Sequence, residues 1–380
     1  GGTYNRISAA GLYAFVGAGG ANTLATNNEA NAQSAAVVAG DTNTASAQNA
    51  FIGAGTTNAA SGTNSVVVGG STNTASGTGS FIGAGTNHTA SGNYSVVCGG
   101  GTGAAGGANS ATSAGAFVGG GTFNRAQGST SVIVGGNNNR TSTSNTFIGA
   151  GDSNLAIGNN NCVIGGGNSN TADGSVSAIL GGASNSTGAL YSAILGGQNN
   201  TTGTVGAGSA AQYSAILGGQ FATTLYYGEI AHAFGRFAAS GDAQNSFLVL
   251  RRAVTVALGT TELTFDGNAV STTVNTITLT NNSMLQFIVK VSARDNNTAG
   301  QFAWWDITGG IGRSATDLTT TIVGVNVTNT GNSGGNSAGW TCVVQADATA
   351  GNGRMQIRVS TPASGGTVRF VASVYLTRSA

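Results

Sequence analysis

The chain has 380 residues, with 65 glycines, one proline and only 7% charged residues, against roughly 25% in ordinary soluble domains. A 40% hydrophobic content with net charge +1 excludes disorder, which needs low hydrophobicity and high net charge. Glycine off any three-residue period excludes collagen, no dense basic patch of the kind that binds nucleic acid is visible, and no run of about 18 apolar residues offers a membrane helix.

The chain begins Gly1-Gly2 without Met and without a signal peptide. This start reads as a fragment or processed product, whose missing N-terminal segment is expected to join other proteins of an assembly. From residue 15 a short apolar triplet recurs. Its first residues are Phe15, Ala36, Phe51, Val66, Phe81, Val96, Phe117, Val132, Phe147, Cys162, Ala178, Ala193, Ala215 and Ile230. The usual step is 15, and the longer steps read as loops near 23–30, 102–108 and 203–210, as tolerated by a solenoid.

Numbering each triplet from zero, position 1 is Val or Ile in 13 of 14 units, which predicts a strand. Position 4 is Gly in 13 of 14, including Gly55, Gly70 and Gly85, which predicts positive φ or a close backbone approach. Position 7 is Asn in nine units, from Asn22 through Asn58 and Asn73 to Asn200. Asn tolerates a left-handed turn, and stacked Asn side chains can bond in a ladder. Phe at position zero always accompanies Gly at position 2, as in Phe51/Gly53 and Phe81/Gly83, whereas Val66 accompanies Val68. This large–small compensation predicts a tightly packed core layer. Fifteen residues make two short strands and two turns, a narrow roll that invites lateral assembly of identical chains.

Near Phe247 the texture changes. Residues 1–246 hold four arginines against six acids (net −2), and residues 247–380 hold nine bases against six acids (net +3). Alternating segments at 275–295, 319–330, 339–348, 353–360 and 367–379 predict a C-terminal antiparallel β-sandwich. Domains of 1–246 and 247–380 are expected, the fold class being all-β: a parallel β-roll or solenoid of 15-residue coils followed by that sandwich.

Sites of chemistry are few. Cys98, Cys162 and Cys342 are too far apart for a disulfide framework or metal cluster and are expected to be buried thiols. His88 stands in an Asn slot and reads as a ladder member; His232 lies at the last triplet. Gly101–Gly106 matches GxGxxG without the strand–helix context that gives it meaning. Glycosidases need two carboxylates within about 10 Å, and Asp41, Asp152 and Asp173 fall in separate coils. The expectation is a chain that is not an enzyme and takes no cofactor or metal. In Trp304-Trp305-Asp306 adjacent residues of a strand face opposite ways, so one Trp is expected in the core and the other exposed. An exposed Trp with Asp306, Arg294, Asp295 and Arg313 suits sugar stacking with hydrogen bonds.

The repeats, with Ser65–Gly70 phrases and Ala-Ser-Gly at 60–62, 75–77 and 90–92, resemble the head repeats of trimeric autotransporter adhesins, which implies three associated left-handed parallel rolls. Residues 281–313, 340–360 and 368–379 resemble the terminal β-sandwich of bacteriophage tail fibres and spikes. That resemblance implies a homotrimer on the virion tail, outside the cell, binding a host-surface glycan or lipopolysaccharide. A bacterial surface adhesin is the alternative, and a polysaccharide depolymerase a further one. An autotransporter is expected to continue into a heptad stalk and membrane barrel, patterns that residues 247–380 do not show.

Overall fold

The computed structural model describes residues 5–19, 27–101, 107–203, 211–255, 260–271, 275–316, 319–349, 352–362 and 366–379. Most of the three expected loops, Asn22 and nearly all of the GxGxxG motif lie outside them. The chain divides into two compact units, Gly1–Ser184 and Asn185–Ala380.

The first unit is a parallel β-solenoid. Each coil contributes two strands of two residues, such as Phe51–Ile52 and Ala59–Ala60. Like strands stack in register: Phe51 pairs with Val66 and Val66 with Phe81, while Ala59 pairs with Thr74 and Thr74 with Thr89. Position 1 fills the interior. Ile52, Val67, Ile82, Val97, Ile133 and Ile148 are fully buried, as are the alanines on the second strand, among them Ala45, Ala60, Ala75 and Ala90.

Positions zero and 2 are not core, which corrects the packing expected of them. Side chains alternate along a strand, and the narrow coil has room inside only for position 1. Phe51, Val68, Val134, Phe147 and Leu180 therefore face outward, with exposures from 37% to 59%. Cys98 occupies position 2 and is exposed for the same reason, whereas Cys162 and Cys342 are buried. The repeat phase at Cys162 also changes. Phe147 pairs with Val163, and Val163 with Ala178, so the extra residue precedes this triplet and Cys162 takes the buried slot before it.

Gly55 has φ +108°, and a Cβ there would lie 2.1 Å from the Gly70 carbonyl of the next coil. Both reasons for glycine apply at once. The left-handed residue of the neighbouring turn is not the Asn but the one before it, as at Thr57 (φ 58°) and Thr72 (φ 58°). Asn serves through its side chain. Asn73 Nδ2 donates to Gly69 O (3.0 Å) and Gly85 O (2.9 Å), and its Oδ1 accepts the His88 backbone N–H (2.9 Å). Asn28, Asn109 and Asn170 join the ladder, because the inserted residues precede the ladder position in their coils.

His88 reproduces two of the three Asn contacts. Its Nδ1 accepts the Asn109 backbone N–H (2.9 Å), and Nε2 meets Gly100 O (3.0 Å). This set assigns the neutral Nε2–H tautomer. Burial lowers its pKa, with the Gly100 contact pulling the other way.

In the second unit three more coil levels precede the change of sheet type. Strand Ile230–Phe234 pairs parallel with Ala215–Gln220 on one edge and antiparallel with Ala243–Val254 on the other. From there a sheet runs in the order 230–234, 243–254, 368–379, 283–295, 302–313, 320–332. Strand Arg354–Ser360 pairs with Thr341–Ala346, Thr261–Glu262 and Ile277–Thr278 to make the second layer. The core between the layers includes Phe287, Val289, Trp305, Trp340, Ile357 and Phe370.

Two buried charge clusters tie this unit together. Glu229 accepts backbone N–H groups of Leu225 (2.6 Å) and Tyr226 (3.0 Å); burial nevertheless pushes its carboxyl up. Arg354 Nη2 meets Asp347 Oδ2 at 2.6 Å and Arg354 Nη1 meets Glu262 Oε2 at 3.5 Å, all within the protein. Burial opposes the Asp347 charge, but bonds from Thr349, Asn352 and Arg354 hold its pKa down at about 2.

Two outcomes follow from this chemistry. A His whose folded pKa lies below its unfolded value contributes stability present above pH 6.5 and lost on acidification. Urea midpoints at pH 7.5 and 5 should therefore differ less in His88→Asn than in the parent chain, since Asn keeps both contacts without titrating. Asp347→Asn should cost about 1.5–3 kcal/mol at neutral pH, as it removes the nearer of Arg354's two carboxylate partners and leaves Glu262 at 3.5 Å. In the parent chain the Asp347 contribution is present above the ordinary carboxylate pKa of 3.8 and lost as pH falls through about 2, measurable by acid titration of the circular dichroism.

Candidate functional site

The sandwich residues singled out by the sequence separate on folding. Trp304 is 41% exposed and Trp305 only 7%; the latter stacks near Phe370 at a centroid distance of 6.3 Å. Alternation along strand Phe302–Arg313 sends them to opposite faces. Arg313 is nine residues along the same strand, about 30 Å from Trp304 at 3.4 Å per residue. Its Nη1 donates to Leu279 O (2.8 Å), and its guanidinium lies over Gly353, where a Cβ would fall 2.0 Å away. Asp295 is buried, and its Oδ1 accepts the Asn297 N–H (2.8 Å) at the turn. That bond holds its pKa down. Trp305, Arg313 and Asp295 are thus apart from Trp304.

Trp304, Asp306 and Arg294 do come together, on the outer sheet face. Sheet register places Ser292 opposite Trp304, Lys290 opposite Asp306 and Arg294 opposite Phe302. The next strand continues these rows with Val371, Ser373 and Arg369, and the following one with Arg251, Val249 and Ala253. Trp304 stacks on Phe302 at 6.2 Å and 21°. Its ring also occupies the space over Gly331, where a Cβ would lie 2.1 Å from Trp304 Cζ2. Lys290 Nζ pairs with Asp306 Oδ2 at 3.1 Å. The result is an aromatic ledge flanked by an ion pair and by arginines.

Sequence reading missed Phe302, Lys290, Arg369 and Arg251. The period-two spacing of Lys290, Ser292 and Arg294 was a signal that these share a face; the cross-strand neighbours were invisible without the register. Towards the other end, glycines replace side chains. An open groove of about 650 Å³ runs past Met284, Gln286, Gly309, Gly310, Val323 and Thr377. Gly309 is required there, since a Cβ would fall 2.7 Å from Phe287 Cζ.

The repeat residues Gly55, Gly70, Gly85, Asn58, Asn73, Phe51 and Phe81 all lie in the first unit. Among the described residues no cluster of three metal-ligating side chains occurs, and no helix is long and apolar enough to cross a membrane.

No protein-family model matches the chain, and no curated protein matches it. Among the solved structures that are similar are three tailspikes. The Acinetobacter baumannii phage AM24 tailspike is 10% identical over 93% of this chain, with a TM-score of 0.23; the chain spans 62% of its length. The tailspike gp49 of Acinetobacter baumannii bacteriophage Fri1, described as a capsular polysaccharide depolymerase, is 10% identical over 87% of this chain and 67% of its own (TM-score 0.21). The Acinetobacter phage vB_ApiP_P1 tailspike is 9% identical over 99% of this chain and 80% of its own (TM-score 0.25). No residue of this chain takes a role from them. One expectation is corrected, however: the exclusion of enzymatic activity falls, because a depolymerase stands among these similar structures.

Trp304 is the exposed member of three tryptophans, with Trp305 and Trp340 at 7% and 5%. Acrylamide should quench one accessible component of the fluorescence, and Trp304→Phe should remove it; an unchanged quenching curve would contradict the outward placement.

Proposed function

We propose that the chain is a tailspike or tail-fibre protein of a bacteriophage, carried outside the cell on the virion. As a homotrimer it holds polysaccharide or lipopolysaccharide of the host surface. The observation that carries this reading is the exposed Phe302–Trp304 stack beside the Lys290–Asp306 pair. An aromatic face takes the apolar face of a sugar ring, and flanking charged groups take its hydroxyls.

The trimer is supported by the outward row in the first unit. Phe15, Phe51 and Phe147 from position zero, and Val38, Val68 and Val134 from position 2, are all exposed. A contiguous apolar surface of this kind on a charge-poor chain marks an association surface. Its large–small compensation, misplaced when assigned to the coil interior, suits packing between copies.

Sedimentation of the purified chain should give the mass of three chains; a monomer at micromolar concentration sinks the trimer. The chain should also compete with the phage for adsorption to susceptible cells. Losing one aromatic platform costs on the order of 1.4 kcal/mol, so Trp304→Ala should weaken that competition about tenfold. Absence of adsorption by the parent chain would overturn the attachment reading. Reducing ends measured in the same incubation tell whether the glycan is also cleaved.

A further inference from the structure

The face around Trp304 carries an unbalanced charge. Arg294 lies directly opposite Arg369, and Arg251 lies one row on, opposite Val371. Among the described residues no carboxylate forms a salt bridge with Arg251, Arg294 or Arg369. Like charges directly opposite in a sheet are destabilising, so the sheet carries this pair at a cost.

A pocket of about 290 Å³ opens beside it, lined by Arg251, Arg252, Arg369, Asp266, Gly267 and Val371, among others. Its one carboxylate, Asp266, accepts the Asn268 N–H (3.0 Å), Asn268 Nδ2 (3.1 Å) and Asn275 Nδ2 (3.0 Å), and offsets only one of the three guanidiniums that line the pocket. Arg251 Nη2 donates to Asp266 O (3.2 Å), and Arg252 Nη1 to Asn268 O. These carbonyls orient the guanidiniums without cancelling their charge.

We infer that this end of the sheet binds an acidic polysaccharide whose sugars bear carboxylates; the inference rests on the attachment reading above. Guanidinium groups take carboxylates in planar, two-bond pairs. Arg294 is a diagonal neighbour of Trp304, with backbones about 7–8 Å apart. A sugar ring on Trp304 therefore brings a carboxylate one bond from the ring within reach of Arg294. The pocket offers a second anion seat at Arg251 and Arg369, so that successive acidic sugars lie across the strands. A second copy related by a two-fold axis is a poor occupant, because that packing of this end brings arginine against arginine.

The test uses the 380-residue chain with polygalacturonate, its carboxyl-reduced product and a phosphorylated mannan. Polygalacturonate should bind, weaken with added salt, and lose about tenfold or more in affinity in Arg294→Ala/Arg369→Ala. The same variant should keep the parent oligomeric mass and near-ultraviolet circular dichroism, both residues being on the surface. Equal binding of the carboxyl-reduced polymer overturns the inference, as do preference for the phosphomannan, no binding of polygalacturonate at low salt, or indifference to the double substitution. A chain that still adsorbs to cells under any of those outcomes leaves the attachment reading standing.

Discussion

The structure of the first unit depends on how little fits inside a fifteen-residue coil. Two strands of two residues leave an interior filled at each level by one branched side chain and one small one, such as Ile52 and Ala45. Backbone hydrogen bonds between coils run in register, so every level repeats the same demand. Glycine at position 4 follows because the next coil's carbonyl passes where a Cβ would be. The Asn ladder follows because each turn buries backbone carbonyls, and Asn73 satisfies two of them while receiving an N–H from the next level. Buried polar groups left unbonded cost about 1–3 kcal/mol each, a penalty that would recur at each coil.

That constraint also explains what the sequence showed and what it hid. A period of fifteen, β-branched residues at position 1 and glycine at position 4 are local properties, and they made the solenoid legible. The direction of positions zero and 2 was not. Compensation between Phe51 and Gly53 looks the same whether the pair packs inside one coil or against a neighbouring chain. Only the width of the coil decides, and width is a property of the closed turn. The Cys162 coil failed for a related reason: triplet matching treats Cys162-Val163-Ile164 and Val163-Ile164-Gly165 alike until pairing with Phe147 selects Val163.

In the second unit the alternating strands were visible and the face they share was not. Strand Ser283–Asp295 alternates buried and exposed along its whole length, whereas strand Phe302–Arg313 ends in glycines that mute its pattern. At Gly309 the reason is Phe287 of the neighbouring strand, which occupies the side-chain space, and at Gly310 the Met284 side chain comes within 3.0 Å of it. Of the six residues chosen around Trp304, three were separated by alternation or by strand length. Proximity in sequence brought Trp305 and Asp295 into the list; register brings Arg369 and Arg251 instead.

Charge follows architecture, sparse in the stacked coils and denser in the antiparallel sheets. A stacked coil repeats its side chains every 4.8 Å or so, so a charge at a repeated position would face its own copy at each level. Charge is therefore sparse in the repeats: residues 1–246 carry no lysine and only four arginines. An antiparallel sheet has no such repeat, and its rows can set Trp304, Lys290 and Arg294 side by side. Chemistry that must distinguish one glycan from another needs this freedom. The repeats supply a surface on which identical chains match, and the aperiodic sheet supplies a surface on which unlike groups can be arranged.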